Sequence, residues 1–235
     1  MFIKVLATGS SGNCYLISDG STTLLIEAGL KVSEVRKKSG FKLSNINGAL
    51  ITHEHLDHCK YIEQYLKSSI DVFTHKEVIN KFNLNHYRLK EIKTHESFLV
   101  RTFTVIPFEV EHDVYNLNFL IYSNVLNETL LYITDTPYIP IQPDSAIEYM
   151  IVEANHDVPT IAHLKATEPK RYTRVRNTHM AIETLESYLK QVDTSRLKQI
   201  NLIHTSSNNA ASDEYVERIK KITGTVVKLG IDKGD

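Results

Sequence analysis

Thr52-His53-Glu54-His55-Leu56-Asp57-His58 places three imidazoles and two carboxylates in a single short run. Ring nitrogens and carboxylate oxygens at that density are ligands for a divalent metal rather than material for a core. His53 and His55 are two apart, so in extended backbone both rings project to the same side, while Asp57 and His58 follow on a turn and can face a second ion. The His-x-His-x-Asp-His spacing is not the His-Glu-x-x-His helix of the zincins. The alternative is a polar, solvated loop that holds three histidines.

Gly48 to Thr52 reads as a short buried strand and Cys59 to Leu66 carries the apolar period of a helix, so the motif lies on a strand-to-helix loop. Further strand-like runs fall at 2–7, 13–18, 22–27, 48–52, 70–74, 98–110, 117–123, 129–134, 147–153, 199–203 and 225–229, with helical patterns near 31–38, 58–68, 75–82, 179–191 and 212–222. That alternation predicts an α/β protein with two sheets between helices. With 235 residues, 42% hydrophobic and 23% charged, residues 1–235 read as one globular domain. The chain opens directly on a strand, Met1 to Val5, with no basic leader and no apolar stretch of membrane-spanning length, so the expected location is the cytoplasm, with no membrane partner. Cys14 and Cys59, far apart in sequence, read as reduced, buried thiols.

The His53 to His58 motif resembles the first metal motif of the metallo-β-lactamase superfamily. The opening Leu6-Ala7-Thr8-Gly9-Ser10-Ser11-Gly12-Asn13-Cys14 is similar to that of its YycJ-like or WalJ-like branch, with which phosphoribosyl cyclic phosphodiesterases are grouped. Thr23 to Gly29 sits where that superfamily has an acid before a small-Gly pair; here the acid is Glu27, a departure from the usual Asp. The resemblance implies a metallo-β-lactamase-type αββα sandwich of two mixed β-sheets flanked by helices. It also implies the remaining ligands. His112, in Val110-Glu111-His112-Asp113, stands where the family supplies a third ligand to the first metal, and the alternative is a surface histidine at a strand end. Asp135 closes the apolar run Leu130 to Thr134 and would be the bridging carboxylate; an Asp-Thr-Pro turn is the alternative. His204 closes Ile200 to Ile203 and would complete the second site. His53, His55 and His112 would hold one ion, Asp57, His58 and His204 the other, and Asp135 both. Such a thiolate-free N and O set suits Zn²⁺ and also accepts Mn²⁺.

Two metals so held can carry a hydroxide nucleophile and polarise an electrophile, a chemistry that serves phosphodiesters, lactones, thioesters and β-lactams alike. Asp57 and His58 argue against antibiotic hydrolysis, because second-site ligands in β-lactamases proper usually include a Cys. Between Lys165 and Arg176, five cations (Lys165, Lys170, Arg171, Arg174, Arg176) face one acid (Glu168), a local charge of +4 in a chain of net charge −1. Such a segment favours phosphate, with Arg171, Arg174 and Arg176 as substrate contacts; a solvated basic loop is the alternative. His179 follows it and is a candidate to bind the scissile phosphate or protonate the leaving group, with Asp57 as the other catalytic candidate. Asn155 and His156, and Asn208 beyond His204, offer further groups for a phosphate or base, although His156 and Asp157 also suit a role orienting the ligands. His75, His86, His95 and His163 read as structural or surface residues.

The expected function is therefore a dinuclear metal-dependent phosphodiester hydrolase acting on nucleotides or nucleic acid, a cyclic nucleotide phosphodiesterase or an exonuclease of the kind the YycJ-like branch contains. One short basic segment describes a local phosphate pocket better than a broad nucleic-acid face. A carboxylic-ester or thioester hydrolase on the same metals and a non-catalytic metal-binding protein are the other readings. A homo-oligomer is left open.

Overall fold

The computed structural model describes residues 1–40, 43–143, 146–205 and 212–230. Among these the strands form two mixed sheets accompanied by helices, one of six strands in the order β1-β2-β3-β4-β5-β6 and one of seven in the order β13-β12-β11-β10-β9-β8-β7. By contacts the described residues fall into two compact units, Met1–Glu109 with Leu117–Glu128, and Val110–Asn116 with Thr129–Gly230.

In the first unit β1 (Phe2–Ala7), β2 (Cys14–Ser18) and β3 (Thr23–Ile26) form an antiparallel meander. From β3 onward, β4 (Gly48–Leu50), β5 (Val72–Thr74) and β6 (Leu89–Glu91) are added in parallel. β2, β3 and β4 are buried along their whole length, which explains their mainly apolar sequences. Helices α1 (Val32–Ser39), α2 (Leu56–Cys59), α3 (Ile62–Lys67) and α4 (Lys76–Lys81) make the crossovers. Parallel pairing has a functional consequence: β3, β4 and β5 all release their carboxyl ends at one sheet edge. Glu27, the Thr52 to His58 loop and His75 leave the sheet there. β7 (Phe98–Val100) and β8 (Phe103–Val110) form an antiparallel hairpin, and β9 is Asn116–Ser123.

The second unit repeats that logic. β10 (Glu128–Ile133), β11 (Tyr149–Glu153), β12 (Gln199–Ile203) and β13 (Val226–Leu229) are parallel, with Ile133 opposite Val152 and Glu153 opposite Ile203. The register brings Asp135, Glu153 and His204 to one edge. α5 (Val158–Ile161), α6 (Leu164–Thr167), α7 (Pro169–Thr178), α8 (Ile182–Leu189) and α9 (Ser212–Thr223) complete it. α8 buries Ile182, Leu185, Tyr188 and Leu189, the helical stripe that its sequence pattern requires.

Four boundaries differ from the sequence-based expectation. The run 98–110 breaks into a hairpin because Arg101 takes a left-handed conformation (φ 53°). The helical stretch 58–68 is interrupted at Lys60 and Tyr61. His179 is not in the first turn of a helix: it is the extended C-terminal cap of α7, and α8 begins at Ile182. The basic segment is itself helical. Its charge density hides the period, although Pro169 stands at the first helical position, where its missing N–H costs nothing.

Candidate metal centre

In the first unit the loop after β4 is built around one buried carboxylate. Glu27 leaves β3 with φ 70°, a conformation that a non-glycine residue adopts at a cost, and is fully buried. Its Oε1 accepts the Thr52 hydroxyl at 2.7 Å and lies 3.3 Å from Nδ1 of His58, while Oε2 accepts the Thr52 backbone N–H. The Thr52 hydroxyl lies in turn 2.8 Å from Nδ1 of His53. With the hydroxyl proton directed to Glu27, its oxygen accepts from Nδ1–H of His53, so the basic lone pair of that ring is at Nε2. Through Thr52, Glu27 sets the tautomer of His53, while the Asn13 amide beside Nε2 of His58 favours the lone pair there.

Nε2 of His53 and Nδ1 of His55 are 3.1 Å apart, and Nε2 of His58 is 3.3 Å from Oδ2 of Asp57. Two ligands on one tetrahedral ion with bonds of about 2.0–2.1 Å stand roughly 3.3 Å apart, so each pair fits a shared ion. The Asn13 amide donates to Asp57 Oδ2 at 3.2 Å and lies 3.0 Å from His58 Nε2, and its oxygen is held by Gly9 N–H and the Tyr15 hydroxyl. Backbone bonds from Asn13 to Asp57 and from Ala28 to His58 pin the same turn. His75, which sequence reasoning set aside as structural or surface, is buried with Nε2 2.9 Å from the Thr52 carbonyl, and so braces the loop from behind. Cys14 and Cys59 are free and buried; loss of solvation pushes each thiol up to about 12, and neither is a thiolate ligand.

The second unit supplies a separate cluster in which one ligand atom each of Asp135, Glu153, His179 and His204 lie within 4.8 Å of one another. Asp135 and His204 both leave their strands with left-handed backbone, φ 50° and 52°. Glu153 Oε1 is 2.7 Å from Nδ1 of His179 and 2.8 Å from Nδ1 of His204, and Asp135 Oδ1 is 3.0 and 3.3 Å from the same atoms. Burial resists the charge on Glu153, yet the His179 cation and hydrogen bonds from both rings outweigh it and hold the carboxyl below its ordinary range. Burial likewise resists the His179 cation, and Glu153 and Asp135 overcome it, raising that ring to about 10. Nδ1 of His204 points at Glu153, so Nε2 is the atom that it could offer a metal ion. His112 is nearly enclosed, with Nε2 3.1 Å from Asp113 and its ring centroid 6.2 Å from that of His179.

Glu153 was missed in the sequence as a site residue. Its signal was present: like Asp135, it closes an apolar strand with an acid. Asn155, read as a substrate contact, is buried and donates to the His204 carbonyl at 2.9 Å, so it supports the backbone of that residue. His156 is buried and its carbonyl accepts from Ile182 N–H; its Nδ1 has no hydrogen-bond partner among the described residues. Asp157 caps α5 through Thr160 and accepts the Tyr215 hydroxyl, a structural assignment. Arg171, Arg174 and Arg176 are exposed on α7, and Arg171 pairs with Glu168 at 3.3 Å. At about 100° per residue, Arg171 and Arg174 share a face and Arg176 lies on another. Asn208 lies outside the described residues.

A family model described as the metallo-beta-lactamase superfamily matches residues 7–115. The chain is 29% identical over 225 residues to a Bacillus anthracis protein named exodeoxyribonuclease YycJ, covering 89% of this chain and 84% of that one. It is 25% identical over 245 residues to a Streptococcus pneumoniae protein named exodeoxyribonuclease WalJ, covering 97% and 91% respectively. Among solved structures it is similar to the metallo-beta-lactamase fold protein YhfI of Bacillus subtilis, with a TM-score of 0.73 and 16% identity over 97% of this chain and 95% of that one.

Proposed function

We propose that the chain is a member of the metallo-β-lactamase superfamily and a dinuclear metal-dependent phosphodiester hydrolase acting on a nucleic-acid strand in the cytoplasm, with residues 1–235 forming one domain of that fold. His53, His55 and His112 are assigned to one ion, Asp57, His58 and His204 to the second, and Asp135 to both. Zn²⁺ fits these nitrogen and oxygen donors, and Mn²⁺ is also accommodated. When bound, the two ions supply Lewis-acid activation of the phosphoryl oxygen and a nucleophile at neutral pH.

The observation that carries the reading is the short contact from Glu153 to His179, 2.7 Å, beside Asp135. His179 is the one histidine of the second-unit cluster outside the assigned ligand set. Glu153 accepts from its Nδ1 and orients the ring, and an imidazole held beside the leaving oxygen is the group that can protonate an alkoxide. His179 is therefore assigned as proton donor and Glu153 as the residue that positions it. Asp57 both ligates and helps orient the attacking group. Arg171 and Arg174 hold the strand's phosphates, and the relatives named exodeoxyribonucleases favour DNA over a cyclic nucleotide.

The test is incubation of metal-loaded protein with 5′-labelled single- and double-stranded DNA, RNA, cyclic mononucleotides and a thioester, with His58→Ala and Asp57→Ala as controls. Cleavage of labelled DNA that both variants abolish is the expected result. Thioester turnover without cleavage of any phosphodiester would overturn the assignment.

A further inference from the structure

An open groove of about 510 Å³ runs along α8 in the second unit, between that helix and the chain just beyond Asp135. One wall presents Tyr138, Ile139 and Pro140, and the other presents Thr184, Ser187 and Tyr188. Gln142 and Gln191 complete the lining, so among the described residues no charged side chain faces the groove. We propose that it is a nucleobase subsite, holding a base of the strand whose phosphodiester the neighbouring centre cleaves. This inference rests on the phosphodiesterase reading and names the part of the substrate which that reading leaves undefined.

Three observations carry it. An uncharged lining repels no anion but offers a phosphate nothing to pair with, whereas aromatic and prolyl faces with amide and hydroxyl edges match a base, which has a π-face and a polar rim. The Tyr138 ring is pre-set: it is 45% exposed, its hydroxyl donates to Glu111 at 3.2 Å, and its carbonyl accepts from Thr136 at 3.0 Å. A fixed, half-open ring stacks on a base with little further loss of freedom. On the helix wall the exposed Ser187 hydroxyl donates to the Glu183 carbonyl, and its oxygen can accept from a base amine. Position is also suitable. Tyr138 follows Asp135 by three residues and neighbours Glu111, beside His112. α8 follows His179 and, at about 1.5 Å per residue, carries Tyr188 roughly 10 Å beyond its cap at Ala181. Both walls of the groove are therefore continuous in sequence with residues of the proposed centre.

The experiment compares binding of a short fluorescein-labelled single-stranded oligonucleotide with that of its abasic counterpart, by anisotropy in EDTA so that no cleavage occurs. Tyr138→Ala and Ser187→Trp are the variants; Ser187 is exposed on α8, so an indole there fills the groove from a surface position. Wild type is expected to prefer the base-bearing strand about tenfold, in line with stacking on one aromatic ring. Both variants should bind the two strands within about twofold of each other. An unchanged preference in both variants, or none in wild type, overturns the subsite. Hydrolysis of bis-p-nitrophenyl phosphate, which has no base, is measured separately with added Zn²⁺ or Mn²⁺. Its absence in wild type would count against the phosphodiesterase reading, while the binding ratio still decides the subsite.

Discussion

The carboxylate of Glu27 accepts the hydroxyl of Thr52 at 2.7 Å, and that hydroxyl is itself 2.8 Å from Nδ1 of His53. A residue at the end of one strand thereby fixes the proton of a proposed ligand beyond the next. The side chain of Glu27 reaches Thr52 and His58 together.

Thr52→Val keeps the shape and removes the relay. Metal affinity of the site is expected to fall about 10- to 100-fold, the range for loss of a partner that orients a ligand. Competition with a chromogenic chelator measures it. An affinity within twofold of wild type would show that His53 needs no such partner.

Gly29→Ala is expected to disorganise the metal loop. A Cβ there would run into the Asp57 carbonyl and the Asn13 backbone nitrogen, which are main-chain atoms that cannot swing away. Overpacking of this kind costs about 1–3 kcal/mol or more. Thermal unfolding should show a lowered midpoint, and metal content of the purified variant should drop with it.

His179→Ala should separate two substrates. Phosphodiesters with alkoxide leaving groups are expected to lose about 10²- to 10⁴-fold in kcat, because a poor leaving group needs the proton. p-Nitrophenolate leaves without one, so bis-p-nitrophenyl phosphate should lose far less. Equal losses on both would argue that the ring binds phosphate instead.

The face assignment on α7 predicts unequal arginines. Arg171→Ala combined with Arg174→Ala should raise the KM for a DNA strand and flatten its dependence on salt, since each phosphate contact contributes to that slope. Arg176→Ala, on another face, should leave both nearly unchanged. Steady-state kinetics across a salt series distinguishes them.

Asp19 predicts the acid limb of stability. Its buried carboxylate accepts the N–H groups of Ser21 and Thr22 and the hydroxyls of Thr102 and Ser123. Burial alone would raise its pKa, but these donors prevail and lower it from the ordinary 3.8. Its contribution is therefore complete above that unfolded value and is lost as pH falls through the lower folded one. Asp19→Asn should reduce stability near pH 7 by about 1–3 kcal/mol and weaken the fall below pH 4, as read by denaturant unfolding across pH.

Much of this protein follows from local pattern. The His53 to His58 cluster, the strand ends at Asp135 and His204, and the buried parallel strands are visible because strand burial and ligand chemistry leave short, contiguous signals. β12 was expected at 199–203 and is found there. Helix α7 escaped because four cations within ten residues mask its period.

What sequence could not determine is which polar groups meet across strands. Glu153 looks like any acid at a strand end until parallel pairing with β10 and β12 sets it against His179 and His204. Glu27 looks like a displaced Asp until β3 and β4 align it with Thr52. Hydrogen bonds across parallel strands join residues separated by a crossover, and no local period records them. The candidate donors were written in the chain; which acid stands beside them was decided by register.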